Sequence, residues 1–379
     1  MNRQKRLKQV FLYAALTIFC HVNLVDNLYS QYPADVSLKE AFKHDFLIGT
    51  ALSTRQIDGR NKAESQLITA NFDAVTPENL MKAHALQPRW GQFNFEQADE
   101  FVAFAASNQM KVNGHTLIWH SQLPGFMQHM ENADSVRQYF VGHIRTVASR
   151  YDGKVDSWDV VNEALNEDGT LRNSIFLRAL GEDYIVEAFR LAQEAAPNTK
   201  LYYNDYNIEQ PSKRAGAIAL IKKIQAAGVR IDGVGIQGHW HVGRVPMEYI
   251  EQSIQEFAAL GLEVMFTELD LSVLPNPLRG NSAELSQTEQ YNKRLNPYTD
   301  GLPDSVAEAQ AEDYGKLFGL FLKYREDVSR VTFWGVHDGG SWLNNWPVRG
   351  RTNYPLVFDR KLMPKPAFHH IIAAKHDQE

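Results

Sequence analysis

Residues 158–163 read Trp-Asp-Val-Val-Asn-Glu, a short apolar and β-branched run that closes with two polar side chains. Such a run predicts a buried β-strand. Residues 263–268, Glu-Val-Met-Phe-Thr-Glu, repeat the arrangement later in the chain, and a glutamate again closes the apolar run. Both segments are typical of parallel strands that carry a functional group at the carboxyl end.

Short apolar runs of this kind recur at regular intervals outward from residues 158–163. The predicted strands are Phe46–Thr50, Phe72–Thr76, Lys111–Leu117, Val155–Val161, Lys200–Tyr203, Gly233–Gln237, Glu263–Thr267 and Val331–Trp334. Amphipathic segments long enough for helices lie between them: Glu96–Asn108, Asp134–Arg150, Asp183–Ala196, Ser212–Gly228, Met247–Leu260 and Val306–Arg325. Gly228 and Gly261 are typical helix C-caps, and Pro197 is expected to end the helix before it.

Alternation of strands and helices indicates right-handed crossovers and a parallel sheet. Eight such units predict a single (β/α)8 TIM barrel with its active site at the carboxyl-terminal ends of the strands. A doubly wound open sheet would also fit the alternation. The stretch Pro275–Pro303 is long and polar for a βα loop, and it is either a wall of the active site or a solvated insertion.

The composition is that of an ordinary globular protein, with 44% hydrophobic and 22% charged residues in 379. The formal net charge of −6 argues against a nucleic-acid-binding protein, which needs a basic face. The one cysteine, Cys20, excludes an intrachain disulfide framework and a cysteine-based zinc cluster. We expect a monomer.

The first thirty residues form a separate unit of the sequence. Arg3, Lys5, Arg6 and Lys8 precede an apolar run from Val10 to Cys20, which is typical of an export signal. The run is too short to favour a membrane-spanning helix. We therefore predict an export segment at 1–30, a catalytic barrel at 31–379, and a secreted or periplasmic protein with no stable membrane span after processing. A buried N-terminal helix and lipid attachment at Cys20 are the alternatives.

Two glutamates at strand ends suggest the chemistry. Glu163 and Glu268 end the fourth and seventh predicted strands, so both side chains can face each other across the mouth of a barrel. A facing carboxyl pair is what glycoside hydrolysis requires, and a separation of about 5–5.5 Å would mean retention whereas about 6.5–9.5 Å would mean inversion. Asn162 could bind the 2-hydroxyl of a sugar or cap local backbone groups.

The segment His239-Trp240-His241 has two interpretations. Two histidines on one face of a strand could bind a metal ion. Alternatively, His239 bonds Glu268 and keeps that carboxylate ionised, which we favour because the chain has no HExxH helix. Tyr206, Trp119, Trp334 and Trp342 near strand ends suit a sugar substrate, although aromatic side chains at such positions can equally be core.

Seven motifs in order resemble those of glycoside hydrolase family 10, a family of retaining endo-β-1,4-xylanases, over roughly residues 38–374. They are Phe-Asp-Ala-Val-Thr-Pro-Glu-Asn at 72–79, Gly-His-Thr-Leu-Ile-Trp-His at 114–120, Trp-Asp-Val-Val-Asn-Glu-Ala at 158–164, Tyr-Asn-Asp-Tyr-Asn at 203–207, Gly-Ile-Gln-Gly-His at 235–239, Thr-Glu-Leu-Asp at 267–270 and Thr-Phe-Trp-Gly-Val at 332–336.

The resemblance implies roles for individual residues. Glu163 would be the acid/base and Glu268 the nucleophile, supported by Asn162, His239 and Asp270. The side chains that would line the sugar-binding cleft are Glu78, Asn79, Lys82, His115, Trp119, Gln237, Trp334 and Trp342. Crowding by Glu78, Asn79, Lys82 and Trp342 would favour xylose over glucose. The resemblance implies xylan as the partner molecule and no metal or organic cofactor.

Three other functions remain open on the residues alone. A related barrel could act on a β-glucan or a mixed-linkage chain, and product analysis would distinguish it. A catalytically silent carbohydrate-binding protein is a second alternative, although both carboxyl groups are present. A metal-dependent barrel hydrolase using the histidines is the third, and loss of activity in chelator would favour it. The fold alone does not decide among these functions.

Overall fold

The computed structural model describes residues 36–278 and 282–376. Its strands are β1 Leu47–Leu52, β2 Ala74–Pro77, β3 Lys111–Trp119, β4 Ser157–Asn162, β5 Lys200–Asp205, β6 Gly233–Ile236, β7 His239–His241, β8 Glu263–Ser272 and β9 Val328–Phe333. All pairings are parallel, and contacts of β9 with β1 and of β6 with β8 close a barrel of eight strands. The predicted (β/α)8 barrel is confirmed, and closure excludes the open, doubly wound sheet.

Helices connect the strands on the outside of the barrel. Their bounds are Leu38–Phe42, Thr54–Ile57, Lys62–Asn71, Ala83–Leu86, Glu96–Ser107, Ala133–Tyr151, Ile175–Leu180, Tyr184–Ala195, Pro211–Ala226, Met247–Ala258, Asp304–Lys323 and Pro366–His376. Every predicted helix is present, with ends that differ by at most two residues. Gly228 (φ 67°) and Gly261 (φ 76°) adopt the left-handed conformation expected just after a helix.

The main hydrophobic core lies between the barrel and its helices. Trp158 on β4 points outward, is fully buried, and packs against Tyr151 of the helix Ala133–Tyr151, with ring centroids 6.2 Å apart. Gly114 on β3 makes room for it, because a Cβ there would lie 2.3 Å from Trp158 Cε3. Truncating a buried tryptophan to alanine typically costs about 3–5 kcal/mol, so this contact contributes substantially to barrel stability.

Several strands extend further than the apolar pattern predicts: β1 and β3 each run two residues longer at the carboxyl end, and β5 and β8 continue into polar residues. β5 continues to Asp205, which pairs with Ile236, and β8 continues to Ser272 because Asp270 pairs with His239 of β7. The extra strand β7 was predicted only as a candidate cluster of histidines. These polar extensions carry the side chains of the site. Within the residues that the structure describes, no helix is long and apolar enough to cross a membrane.

Candidate active site

A cavity of about 160 Å³ opens at the carboxyl ends of the barrel strands. The predicted site residues that line it are Glu78, Asn79, Lys82, His115, Trp119, Asn162, Glu163, Gln237, His239, Glu268, Trp334 and Trp342. Gln122, Ala283 and Leu285 also line it and were not predicted. Two predicted residues, Asp270 and Tyr206, lie outside this lining. The barrel thus brings side chains from six of its strands and their loops to one place.

Glu163 follows β4 directly and is held on several sides. Its backbone has a left-handed φ of 56°, and its N–H donates to the carbonyl of Asn204 at 2.9 Å. Its carboxyl oxygens accept hydrogen bonds from Trp119 Nε1 at 2.8 Å and Gln237 Nε2 at 2.9 Å. Burial raises the pKa of Glu163 and the nearby charge of Asp205 adds to that effect.

Glu268, near the middle of β8, is as buried as Glu163, but its pKa is shifted in the opposite direction. Burial alone would raise the pKa of Glu268, but a hydrogen bond from His239 and the positive charges of His115, His239 and Lys82 lower it below its usual value. The surroundings therefore shift the pKa values of two buried carboxyl groups in one cavity in opposite directions, that of Glu163 toward the acid form and that of Glu268 toward the anion. This is the division of roles that acid and nucleophile require.

His239 occupies both of its ring nitrogens with carboxylates. Nε2 lies 3.3 Å from Glu268 Oε2 and Nδ1 lies 3.0 Å from Asp270 Oδ1. Burial opposes the charged ring, yet the two carboxylates raise the pKa of His239 to about 10. The predicted His239–Glu268 bond is therefore present. Asp270 also accepts a bond from Trp342 Nε1 at 2.8 Å, so it lies behind the cavity and orients two of its walls.

The metal interpretation of the histidines does not fit this geometry, because both ring nitrogens of His239 are already engaged by the carboxylates of Glu268 and Asp270. Over residues 36–278 and 282–376, no group of three or more His, Cys, Asp or Glu side chains is arranged to hold a metal ion.

Asn204 at the end of β5 connects the two glutamates and was not predicted as a site residue. Its Nδ2 donates to Glu268 Oε1 at 3.1 Å and to Asn162 Oδ1 at 2.9 Å. Asn162 Nδ2 in turn donates to Glu163 Oε1 at 3.3 Å. Gly235 on β6 provides the space, because a Cβ there would lie 2.3 Å from Asn204 Oδ1. The signal available in the sequence was the position of Asn204 at a strand end.

Aromatic and charged side chains form the walls. Lys82 Nζ lies 5.0 Å from the ring centroid of Trp119 and donates to Asn79 Oδ1 at 3.1 Å. Trp342 stacks on Trp346, with centroids 4.8 Å apart and planes 18° from parallel. Burial lowers the pKa of Lys82 and raises that of Glu78. Flat rings beside closely placed donors and acceptors suit a sugar, which has apolar faces and hydroxyl edges.

The segment after β8 contributes a second group of contacts. Ala283 is buried and lies in the cavity wall with Leu285, and Glu284 pairs with Arg172 at 2.7 Å. Residues 286–294 of the same segment are exposed. One part of the insertion at 275–303 thus forms a wall of the site, and another part is exposed to solvent, so each of the two interpretations holds for part of the segment.

Tyr206 lies on the Glu163 side of the site, beneath two cations. Its hydroxyl accepts a hydrogen bond from Arg172 Nη2 at 2.9 Å, and Lys213 Nζ lies 3.7 Å from its ring centroid. Its side chain is only 3% exposed. Arg172 and Lys213 lie in a loop and a helix with no distinctive pattern, so the sequence offered no signal for them.

Comparison with known proteins agrees with this geometry. A sequence profile described as glycosyl hydrolase family 10 matches residues 37–374. An endo-1,4-beta-xylanase A from Xylanibacter ruminicola is 42% identical over 341 residues, which cover 89% of this chain and 92% of that protein. A beta-1,4-xylanase from Dictyoglomus thermophilum is 41% identical over 338 residues, covering 89% of this chain and 90% of that one.

Solved structures give the same result. A GH10 endoxylanase retrieved from a sugarcane soil metagenome superposes with a TM-score of 0.85 at 40% identity, covering 89% of this chain and 99% of that one. A xylanase from Paenibacillus barcinonensis, solved with a conduramine derivative, has a TM-score of 0.80 at 38% identity, with 90% and 99% covered. With the barrel and its pair of buried glutamates, these matches show that the chain belongs to glycosyl hydrolase family 10.

Proposed function

We propose that this protein is an endo-1,4-β-xylanase that cleaves the backbone of xylan with retention of configuration. The observation that carries the proposal is the pair of buried carboxyl groups in one cavity: Glu163 is bonded by Trp119 and Gln237, and Glu268 lies against His239. Their surroundings displace the two pKa values in opposite directions, upward for Glu163 and downward for Glu268. The relatives named as endo-1,4-β-xylanases support the choice of substrate, and each is matched over most of its length.

The reaction is a double displacement. Glu163, protonated in the free enzyme, gives its proton to the glycosidic oxygen while the Glu268 carboxylate attacks the anomeric carbon. Glu163 then acts as base toward a water molecule that releases the sugar from Glu268. Asn162 lies between the two carboxyl groups and is placed to bond the 2-hydroxyl of the sugar, an interaction that strengthens in the transition state.

We propose that crowding at one end of the cavity makes the enzyme selective for xylose over glucose. Glu78, Asn79, Lys82 and Trp342 all line it, and Lys82 is held by its contacts with Asn79 and Trp119. An extra hydroxymethyl group on glucose would have to displace these side chains, of which Lys82 is buried and the other three are half-buried. The buried Tyr206, predicted to bind substrate, is proposed to support the Glu163 side of the site through its hydrogen bond with Arg172.

Digestion of glucuronoxylan beside carboxymethyl cellulose, by wild type and Glu268→Ala, tests the proposal. We expect short xylo-oligomers from wild type only, and much slower cleavage of the cellulose derivative. Xylan hydrolysis by the variant would overturn the assignment of Glu268. Preferential cleavage of the cellulose derivative by wild type would replace xylan by a β-glucan.

Export is part of the proposal and rests on the sequence of residues 1–30, which lie outside the described residues. Expression of the full chain in a bacterial host, with the mature N-terminus sequenced from the medium and from the periplasm, tests both the cleavage and the destination. Retention of residues 1–30 on the product would contradict it.

A further inference from the structure

We infer that Glu284, in the segment after β8, is a positioning residue for the acid/base: it holds Arg172 and His120 in place and balances their charge beside Glu163. The inference rests on the proposed role of Glu163. It assigns a function to the insertion at 275–303, which the catalytic pair alone leaves unexplained.

The contacts of Glu284 are shielded from water, and the one to Arg172 is short. Its Oε2 lies 2.7 Å from Arg172 Nη1 and 3.6 Å from His120 Nε2, and all three side chains are less than a fifth exposed. Its Oε1 accepts hydrogen bonds from the backbone N–H and the hydroxyl of Ser286, at 3.4 and 3.3 Å, which fix the carboxylate within its own segment. His120 and Arg172 lower the pKa of Glu284 to about 2, so it stays anionic over the working range.

Arg172 connects Glu284 to the acid/base residue Glu163 through hydrogen bonds. Its Nε donates to the carbonyl of Glu163 at 3.0 Å, and its Nη2 donates to the carbonyl of Leu165 at 3.3 Å and to the Tyr206 hydroxyl at 2.9 Å. One guanidinium thus ties Glu163, the backbone that follows it and Tyr206 to a carboxylate on another strand's loop. A planar guanidinium with its bonds satisfied in this way has little freedom to move.

The charge of Glu284 should raise the pKa of Glu163. Several titratable and charged groups act on Glu163 or face it across the site: Glu78, Lys82, His115, His120, Arg172, Asp205, Tyr206, His239 and Glu268. Glu284 acts on it through its pairs with His120 and Arg172. A positive charge on His120 lowers the pKa of Glu163. The Glu284 anion offsets His120 and Arg172, and therefore helps Glu163 to keep its proton.

Replacing Glu284 by glutamine removes the charge and keeps the shape. The pKa of Glu163 should then fall, and the basic limb of the kcat/KM profile on xylohexaose should move to lower pH by about half a unit or more. At a pH on that limb, hydrolysis should fall about three- to tenfold. Glu289→Gln is the matched control, because Glu289 is an exposed glutamate of the same segment, and its profile should equal that of wild type.

A second substrate distinguishes charge from simple disturbance of the site. A dinitrophenyl β-xylobioside has a leaving group that needs no proton, so its kcat/KM should stay within about twofold in Glu284→Gln. Glu284→Asp, which keeps the anion, should recover most of the wild-type profile. Equal losses on both substrates, or an unmoved basic limb, would refute the inference while leaving the xylanase proposal intact. Full xylan activity in Glu163→Ala would instead refute the proposed function itself.

Discussion

The Nε2 atom of His239 lies 3.3 Å from Oε2 of Glu268, while the other nitrogen of the same ring lies 3.0 Å from Asp270. The two carboxylates raise the pKa of His239 to about 10 against the effect of burial, so the ring carries a positive charge next to the carboxylate that we propose as nucleophile. This contact opposes the burial that would otherwise protonate Glu268.

Replacing His239 by asparagine should therefore raise the pKa of Glu268. Since Glu268 must be ionised to attack, activity is lost as the pH falls through that pKa, and the acid limb of kcat/KM should move to higher pH. The pH profile on xylohexaose measures the change. His241→Asn on the same strand is the control and should leave the acid limb in place, since His241 makes no bond to Glu268 among the contacts described here; a shift of equal size there would contradict the explanation.

Glu268→Ala should lower kcat on xylan by a factor of roughly 10⁴ to 10⁶, as expected for removal of a covalent nucleophile. The barrel should remain folded, because the Glu268 side chain makes two hydrogen bonds and is not part of the hydrophobic core. Steady-state kinetics with a circular dichroism spectrum of the variant check both halves. An active variant with unchanged kcat would remove Glu268 from the mechanism.

Glu163→Ala should lose about 10²- to 10⁴-fold in kcat/KM on xylan, the usual contribution of a general acid. The loss should be much smaller on an aryl β-xylobioside with a good leaving group, since that departure needs no proton. Azide should then accelerate turnover and form a β-xylobiosyl azide, because a small anion can replace the water that Glu163 no longer activates. Product analysis by NMR reports the anomer, and an α product would contradict retention.

Lys213 and Asp205 form an ion pair of 2.9 Å in which both side chains are fully buried. Lys213→Met should destabilise the fold by about 3–5 kcal/mol, because it leaves the Asp205 charge buried without its partner. Urea unfolding measures the free energy. Lys223→Met on the same helix removes an exposed ion pair with Asp183 and should change it by no more than about 0.5 kcal/mol. If the two substitutions changed the free energy of unfolding equally, the buried pair would not have the stabilising role given to it here.

The fold was largely predictable because it depends on local apolar patterns. The interiors of all eight barrel strands were predicted correctly, since each is a run of side chains that is buried whatever its neighbours are. The strand ends were less accurate. Asp205 and Asp270 look like loop residues in the sequence, yet their backbones continue the pairing, because the neighbouring strands β6 and β7 lie alongside.

The site was predictable where residues lie just beyond the apolar part of a strand and unpredictable where they meet through space. Glu163, Glu268 and His239 lie two or three residues beyond the apolar runs of β4, β8 and β6, so the barrel geometry brings them together. Glu284 lies in a polar segment with no periodicity, and its partner Arg172 is 112 positions away in the sequence. No pattern within either segment indicates the other, since the contact exists only after the barrel has closed.

The left-handed backbone of Glu163 has an evolutionary consequence. A glutamate at a φ of 56° is strained relative to glycine or asparagine, which adopt this region at little cost. The strand before it, the carbonyl of Asn204 and the guanidinium of Arg172 hold the conformation in place. A lineage released from selection for catalysis would gain stability by replacing this residue, so position 163 is where loss of function and improved folding would coincide.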